Sequence, residues 1–178
     1  MGKVILYIAT SLDGYIARAD GAIDWLNKYE GGGEDYGYAE FIKNVGSVIV
    51  GGKTYRQVLG FDDGWSMPRV ETVVITRQEL DAPPGAPVRA YSGDMKALVD
   101  ELKGRSDKDI WLMGGGEIIA LFVRDRLIDE YMVFVVPVLL GEGIPLFPPG
   151  AHEDMTLKVI DVHRYNDGMV KLHYECCA

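Results

Sequence analysis

Cysteine is almost missing from this chain of 178 residues: Cys176 and Cys177 are the only two, and they are adjacent. They give no C-x-x-C spacing for a metal or a redox couple, and no framework of bridges. Histidine is scarce too. His152, His163 and His173 fall late in the chain without H-x-H or H-E-x-x-H spacing, so no metal site is expected and a zinc deaminase would lack its ligands. No Gly-x-Ser-x-Gly elbow is present, and an esterase would lack its nucleophile. No apolar run approaches the ~18 residues of a membrane span; the longest candidate, residues 132–140, is interrupted by Pro137. The opening residues carry no signal-peptide core, and Leu6 stands where a myristoylation pattern needs Ser or Thr. A cytoplasmic protein without a membrane partner is expected. Basic residues are also in deficit: 18 Lys and Arg face 27 Asp and Glu, a net charge of −9. That excludes a general nucleic-acid binder, which needs a basic footprint.

What is present reads as one globular domain over residues 1–178. Hydrophobic residues make up 48% and charged residues 25%, which are ordinary globular proportions, and the length supports a self-sufficient core. Short apolar runs at residues 3–9, 47–50, 72–75 and 109–113 read as strands. Their hydrophobicity is continuous rather than alternating, as in parallel strands covered on both faces. Helical spacing lies between them at residues 35–44, 54–59, 94–103 and 117–123, the third with a candidate N-cap at Ser92 or Asp94. A long strand is expected at 131–140. A hairpin is expected at 156–165 and 169–176, around the turn Asn166-Asp167-Gly168. The expected class is α/β: a mixed, mostly parallel sheet flanked by helices, with an antiparallel C-terminal hairpin.

Three strand ends carry groups suited to phosphate. Met113 runs into Gly114, Gly115 and Gly116 and then a helix beginning Glu117, Ile118; glycines admit close backbone approach, and a helix start offers free N–H groups. Gly51 and Gly52 repeat the arrangement, with Lys53 and Thr54 at the new helix start. Thr76, Arg77 and Gln78 end a third strand. Neither a Rossmann fingerprint nor a Walker loop is complete here. One such turn alone is equally a ligand-free tight turn. Three together are better explained by a dinucleotide site at the carboxyl ends of the strands. A long loop after the first strand, through Gly14 and Gly21 to Trp25, is placed to act as a lid. The acids Asp24, Glu30, Glu34 and Asp35 follow. One of them could grip or protonate a substrate; the alternative is a solvated helix start.

The combination resembles the dihydrofolate-reductase-like fold. Within it, the chain resembles the reductase domain of the bifunctional riboflavin-biosynthesis deaminase/reductase family, in stand-alone form. The ordered segments that carry the resemblance are Ser11 to Ala17, Val50 to Tyr55, Val74 to Arg77, Met113 to Gly116, and Pro137-Val-Leu-Leu-Gly-Glu-Gly-Ile-Pro-Leu-Phe147. The resemblance implies an NADPH-dependent reductase acting on a heterocyclic or sugar-imine small molecule, such as 5-amino-6-(5-phosphoribosylamino)uracil. It also implies a homodimer. The cofactor contacts it implies are Ala9, Ile16, Gly51, Gly52, Lys53, Thr54, Thr76, Arg77, Gln78, Met113, Gly114, Gly115, Gly116, Glu117 and Ile118. Gly52 departs from the family, where an Arg commonly stands at that turn to meet the 2′-phosphate; selectivity for NADPH is then carried by Arg77 and Lys53. For a catalytic acid the resemblance points to Asp35, with Glu30 and Asp24 as competitors. Two other readings stay open: a true dihydrofolate reductase, and a nucleotide-binding module without catalysis.

Charge is unevenly spread. Residues 1–40 carry seven acids and three bases, 3 − 7 = −4. Residues 51–77 carry four bases (Lys53, Arg56, Arg69, Arg77) and three acids (Asp62, Asp63, Glu71), 4 − 3 = +1. With a Debye length of about 8 Å at physiological salt, this local relief outweighs the distant total. The acidity therefore argues against nucleic acid but not against an anionic cofactor.

Overall fold

A computed structural model describes residues 2–29, 33–61, 64, 70–150 and 153–177. Glu30, Trp65 and His152 lie outside the described residues.

One eight-stranded sheet organises the chain, in the order β5-β4-β3-β6-β1-β7-β10-β9. Its strands are β1 (Val4–Ser11), β3 (Val45–Gly51), β4 (Glu71–Ile75), β5 (Val88–Tyr91), β6 (Asp109–Gly114), β7 (Glu130–Val136), β9 (Leu157–Arg164) and β10 (Val170–Cys176). The six strands from β5 to β7 are parallel; β10 and β9 close the sheet antiparallel. A separate two-stranded ribbon pairs β2 (Tyr15–Ala17) with β8 (Ile144–Pro145).

The apolar runs became central strands because both faces are covered. Val48, Ile49 and Val50 are fully buried, as are Val73 and Val74. Leu6, Ile49, Val73 and Leu112 meet α3 (Met95–Arg105) and α4 (Gly116–Arg124), which supply Leu98, Leu102, Ile119 and Phe122. On the other face Ile5, Val48, Val50, Val74 and Trp111 meet α1 (Tyr38–Asn44) and α2 (Gly52–Leu59) through Phe41 and Tyr55. Burial of this kind stabilises by roughly 1.5–3 kcal/mol for each fully buried large side chain. Among the described residues, no helix is long and apolar enough to cross a membrane.

Several expected boundaries moved. The helix expected from residue 35 begins at Tyr38, because Tyr36 (φ 53°) and Gly37 (φ 80°) adopt left-handed backbone and Asp35 caps the start from outside. The strand expected over 131–140 stops at Val136, where Pro137 has no N–H to continue the ladder. Of the two candidates for the α3 cap, Asp94 accepts from the Ala97 N–H at 2.8 Å.

The starts of β1 and β7 and the middle of β10 are tied by a buried carboxylate. Glu130 accepts a hydrogen bond from Lys3 Nζ, and His173 Nε2 lies 2.9 Å from its other oxygen. Burial works to raise the Glu130 pKa, but the hydrogen bonds and charges of Lys3 and His173 outweigh it and hold it below its ordinary 4.5. A depressed folded value means stabilisation that is full above about pH 4.5 and is lost as pH falls through the folded value. Glu130→Gln is expected to lower stability by about 1–3 kcal/mol at neutral pH. In urea unfolding, the gap to wild type is expected to narrow steadily below pH 4.5; a gap independent of pH would contradict this role.

Candidate functional site

The cleft follows from the order of the strands. Strands β3 and β6 are neighbours, with Val50 opposite Gly114. From β3 the chain turns to one face as α2, and from β6 to the opposite face as α4. Adjacent strands that feed helices on opposite sides leave a crevice beyond their carboxyl ends. Here it measures about 1090 Å³.

The two helices that start at this crevice are built unlike the other two. Helix α3 is capped by Asp94, and α1 by Asp35, whose carboxylate accepts from the N–H groups of Gly37 and Ala39 at 3.0 and 3.1 Å. Helices α2 and α4 follow Gly51 and Gly115, and neither has a side-chain cap. Their first N–H groups and positive dipole ends therefore face the same space, a ready anion site.

Glycine is needed there for closeness of approach. A Cβ on Gly115 would lie 2.9 Å from Thr54 Oγ1, and one on Gly51 3.0 Å from Ile118 Cγ1. A Cβ on Gly116 would lie 3.1 Å from the Pro145 carbonyl oxygen. The Gly114–Gly115 peptide is cis, and Gly114 has φ +106°.

Along its length the cleft changes character. One end is basic and polar: Lys53, Arg56, Thr76, Arg77 and Gln78 line it. The other end is apolar, built from Ile8, Ala9, Ile16, Ala17, Ile23, Leu26 and Ile144. The loop through Asp20 and Gly21 forms an outer wall, tied to α2 where Gln57 Nε2 donates to the Gly21 carbonyl at 2.9 Å. Lys53 and Glu117, both more than 80% exposed, form an ion pair at 2.9 Å between the two helix starts. At that exposure the pair contributes little and can yield to a ligand.

The structure gathers the expected cofactor-facing residues into this one space. Ala9, Ile16, Gly51, Gly52, Lys53, Thr54, Thr76, Arg77, Gln78, Met113, Gly115, Gly116, Glu117 and Ile118 all line it; Gly114 does not. A dinucleotide would suit the chemistry of the donors: open helix starts for a pyrophosphate, arginines for a further phosphate, and an apolar end for a flat ring. Asp24 and Asp35 are not among the residues that line it. Asp24 lies in a two-pronged ion pair with Arg18, at 2.6 and 2.9 Å. The Arg18 hydrogen bond holds its pKa below the carboxylate norm, as the Gly37 and Ala39 N–H groups do for Asp35. Those shifts run against a proton donor at neutral pH. Glu30 falls outside the described residues. Among the described residues, the acids that do line the cleft are Asp20 and Glu117. Asp20, Arg56, Ile23 and Ile144 were not singled out as contacts from the sequence; only the glycine-helix spacing of Gly52 and Arg56, four residues apart, held a signal.

Fold and cleft together give the chain the dihydrofolate-reductase-like fold, a mixed, mostly parallel sheet with a cleft at the strand ends. More narrowly, the chain belongs to the RibD C-terminal domain family, whose model matches residues 2–171. It is similar to the uncharacterized protein YwjB of Bacillus subtilis, 37% identical over 172 residues that cover 97% of each protein. It is also similar to the riboflavin biosynthesis protein RibD of Corynebacterium ammoniagenes, 29% identical over 159 residues, 79% of this chain but 44% of that longer protein. A crystal structure from Shewanella sp. PV-4, provisionally described as a riboflavin biosynthesis protein, superposes with a TM-score of 0.88 over 99% of both chains at 28% identity.

Proposed function

We propose that this protein is an NADPH-dependent reductase that delivers hydride to a flat, nitrogen-rich heterocycle or its sugar-linked imine. One observation carries the reading: two uncapped, glycine-started helices open into one cleft whose far end is apolar. Gly51–Thr54 and Gly115–Ile118 would hold the pyrophosphate. Thr76, Arg77 and Gln78 would meet the adenosine, and Ala9, Ile16 and Ile144 the nicotinamide. When bound, the cofactor supplies the hydride. The chain orients the two reactants and excludes water from the apolar end, which is where most of the rate gain of such a site arises. The proton that must accompany the hydride comes from water: among the described residues the acids lining the cleft are Asp20 and Glu117, in its outer wall and at the start of α4 rather than at its apolar end. The likeness to a RibD protein favours a ribosylamino-pyrimidine, reduced at the sugar carbon to the ribitylamino compound.

The test is a calorimetric titration with NADPH. Micromolar binding is expected, followed by consumption of NADPH when 5-amino-6-(5-phosphoribosylamino)uracil is added. Absence of binding at millimolar NADPH would overturn the reading. Turnover of dihydrofolate instead would move the substrate assignment to folate.

A further inference from the structure

We propose that Arg56, acting with Arg77, selects a dinucleotide that carries a phosphate on its adenosine ribose, and that Lys53 does not. The proposal rests on the dinucleotide reading above and assigns its specificity. Most basic side chains here are already paired with acids: Arg18, Arg89, Arg105, Arg124, Lys43, Lys53, Lys96, Lys103, Lys158 and Lys171 each hold a carboxylate. Arg56 and Arg77 both line the cleft, and neither has a carboxylate partner among the described residues. In a chain with so large an excess of acid, two unpaired guanidinium groups at one concave site mark a place for an anion from outside.

The geometry aims Arg56 at that place. It sits one turn after Gly52 on α2, and a guanidinium nitrogen lies 3.4 Å from where a Cβ on Gly52 would be. The same point is 3.1 Å from Thr76 Cβ and Oγ1. The side chain therefore folds back over the bare start of its own helix, toward the end of β4. Gly52 leaves the room it occupies. Thr76 Oγ1 already accepts from the Gln78 N–H at 3.0 Å, so its hydroxyl proton is left to donate. Lys53 is drawn the other way, to Glu117 at the start of α4, where it meets the part common to both nicotinamide dinucleotides. A planar guanidinium fork also matches a phosphate monoester better than an ammonium does.

The probes are adenosine 2′,5′-bisphosphate and adenosine 5′-monophosphate, titrated calorimetrically into the full chain at one ionic strength. Wild type is expected to prefer the bisphosphate by on the order of tenfold or more. Arg56→Ala should reduce that preference to within about twofold while leaving the monophosphate affinity unchanged; Arg56→Lys should retain only part of it. Lys53→Ala should weaken both probes by the same factor. A preserved preference in Arg56→Ala, or equal weakening of both probes, would overturn the assignment. Equal binding of both probes by wild type would overturn it while leaving the dinucleotide site standing. Binding of neither probe, together with no binding of NADPH, would remove the site itself.

Discussion

Gly115→Val is expected to abolish the thermal stabilisation that NADPH confers. A ligand at about 100 times its Kd adds roughly 2.7 kcal/mol to stability, which raises the Tm of a domain this size by about 5–10 °C. The variant is expected to show a rise below about 1 °C at the same concentration. Gly115 has φ −78° and ψ −162°, a backbone open to any residue, so the argument is one of space. The gap between the start of α4 and the Thr54 hydroxyl on α2 admits no Cβ without a shift, since a Cβ on Gly115 would lie 2.9 Å from Thr54 Oγ1. Valine would place two methyl groups over the N–H groups of both helix starts. Gly115→Ala is expected to be intermediate, because the end of the Thr54 side chain can rotate away. Each protein is compared with and without NADPH, so any change in its own stability cancels. A full rise in Gly115→Val would mean that the pyrophosphate does not pass between these helices.

Why this part of the site was legible in the sequence, and the acids were not, has a physical basis. A strand, two or three glycines and a helix start form a local pattern, and the parallel sheet lines such patterns up at one edge whatever the distance between them in the chain. Gly51 to Thr54 and Gly114 to Ile118 needed no long-range information. A carboxylate has no such local mark. Asp24 pairs with Arg18 and Asp35 caps α1, and a capping aspartate and a catalytic one have the same sequence context near a helix start. Arg56 was hidden differently: a basic residue in the second turn of a helix normally points to solvent, and nothing local marks this one as folding back toward Gly52 and Thr76.

The fold divided along similar lines. Central strands such as 47–50 announced themselves because both faces are buried. β5, with the sequence Val-Arg-Ala-Tyr and half-exposed, carried no apolar run. β2 and β8, three and two residues long, exist only because their partners approach.

That approach sets the second expected result. Gly143→Ala should destabilise the protein by roughly 3–5 kcal/mol and lower its Tm by on the order of 10 °C. Gly143 has φ +151°, and a Cβ there would lie 2.2 Å from the Ala17 carbonyl oxygen. That oxygen is backbone of β2, so relief requires β8 to separate from β2. Gly141, two residues earlier, is the control. It also has positive φ, +78°, but nothing lies within 4 Å of its would-be Cβ. Gly141→Ala should therefore cost only the conformational strain, about 1–2 kcal/mol. The loop between them and β1 is held in both variants by Asp13, whose carboxylate accepts from the N–H groups of Leu140 and Gly141 and from the Ser11 hydroxyl. The difference between the two variants thus isolates the contact between the ribbon strands. Equal losses would show that contact to be unimportant. The ribbon also bears on the site, since Ile16, Ala17 and Ile144 form part of the apolar wall. Gly143→Ala is accordingly expected to weaken NADPH binding as well, and Gly141→Ala to leave it close to wild type. The Gly-Glu-Gly of residues 141–143 would then owe its second glycine to the walls of the cleft and its first only to a turn.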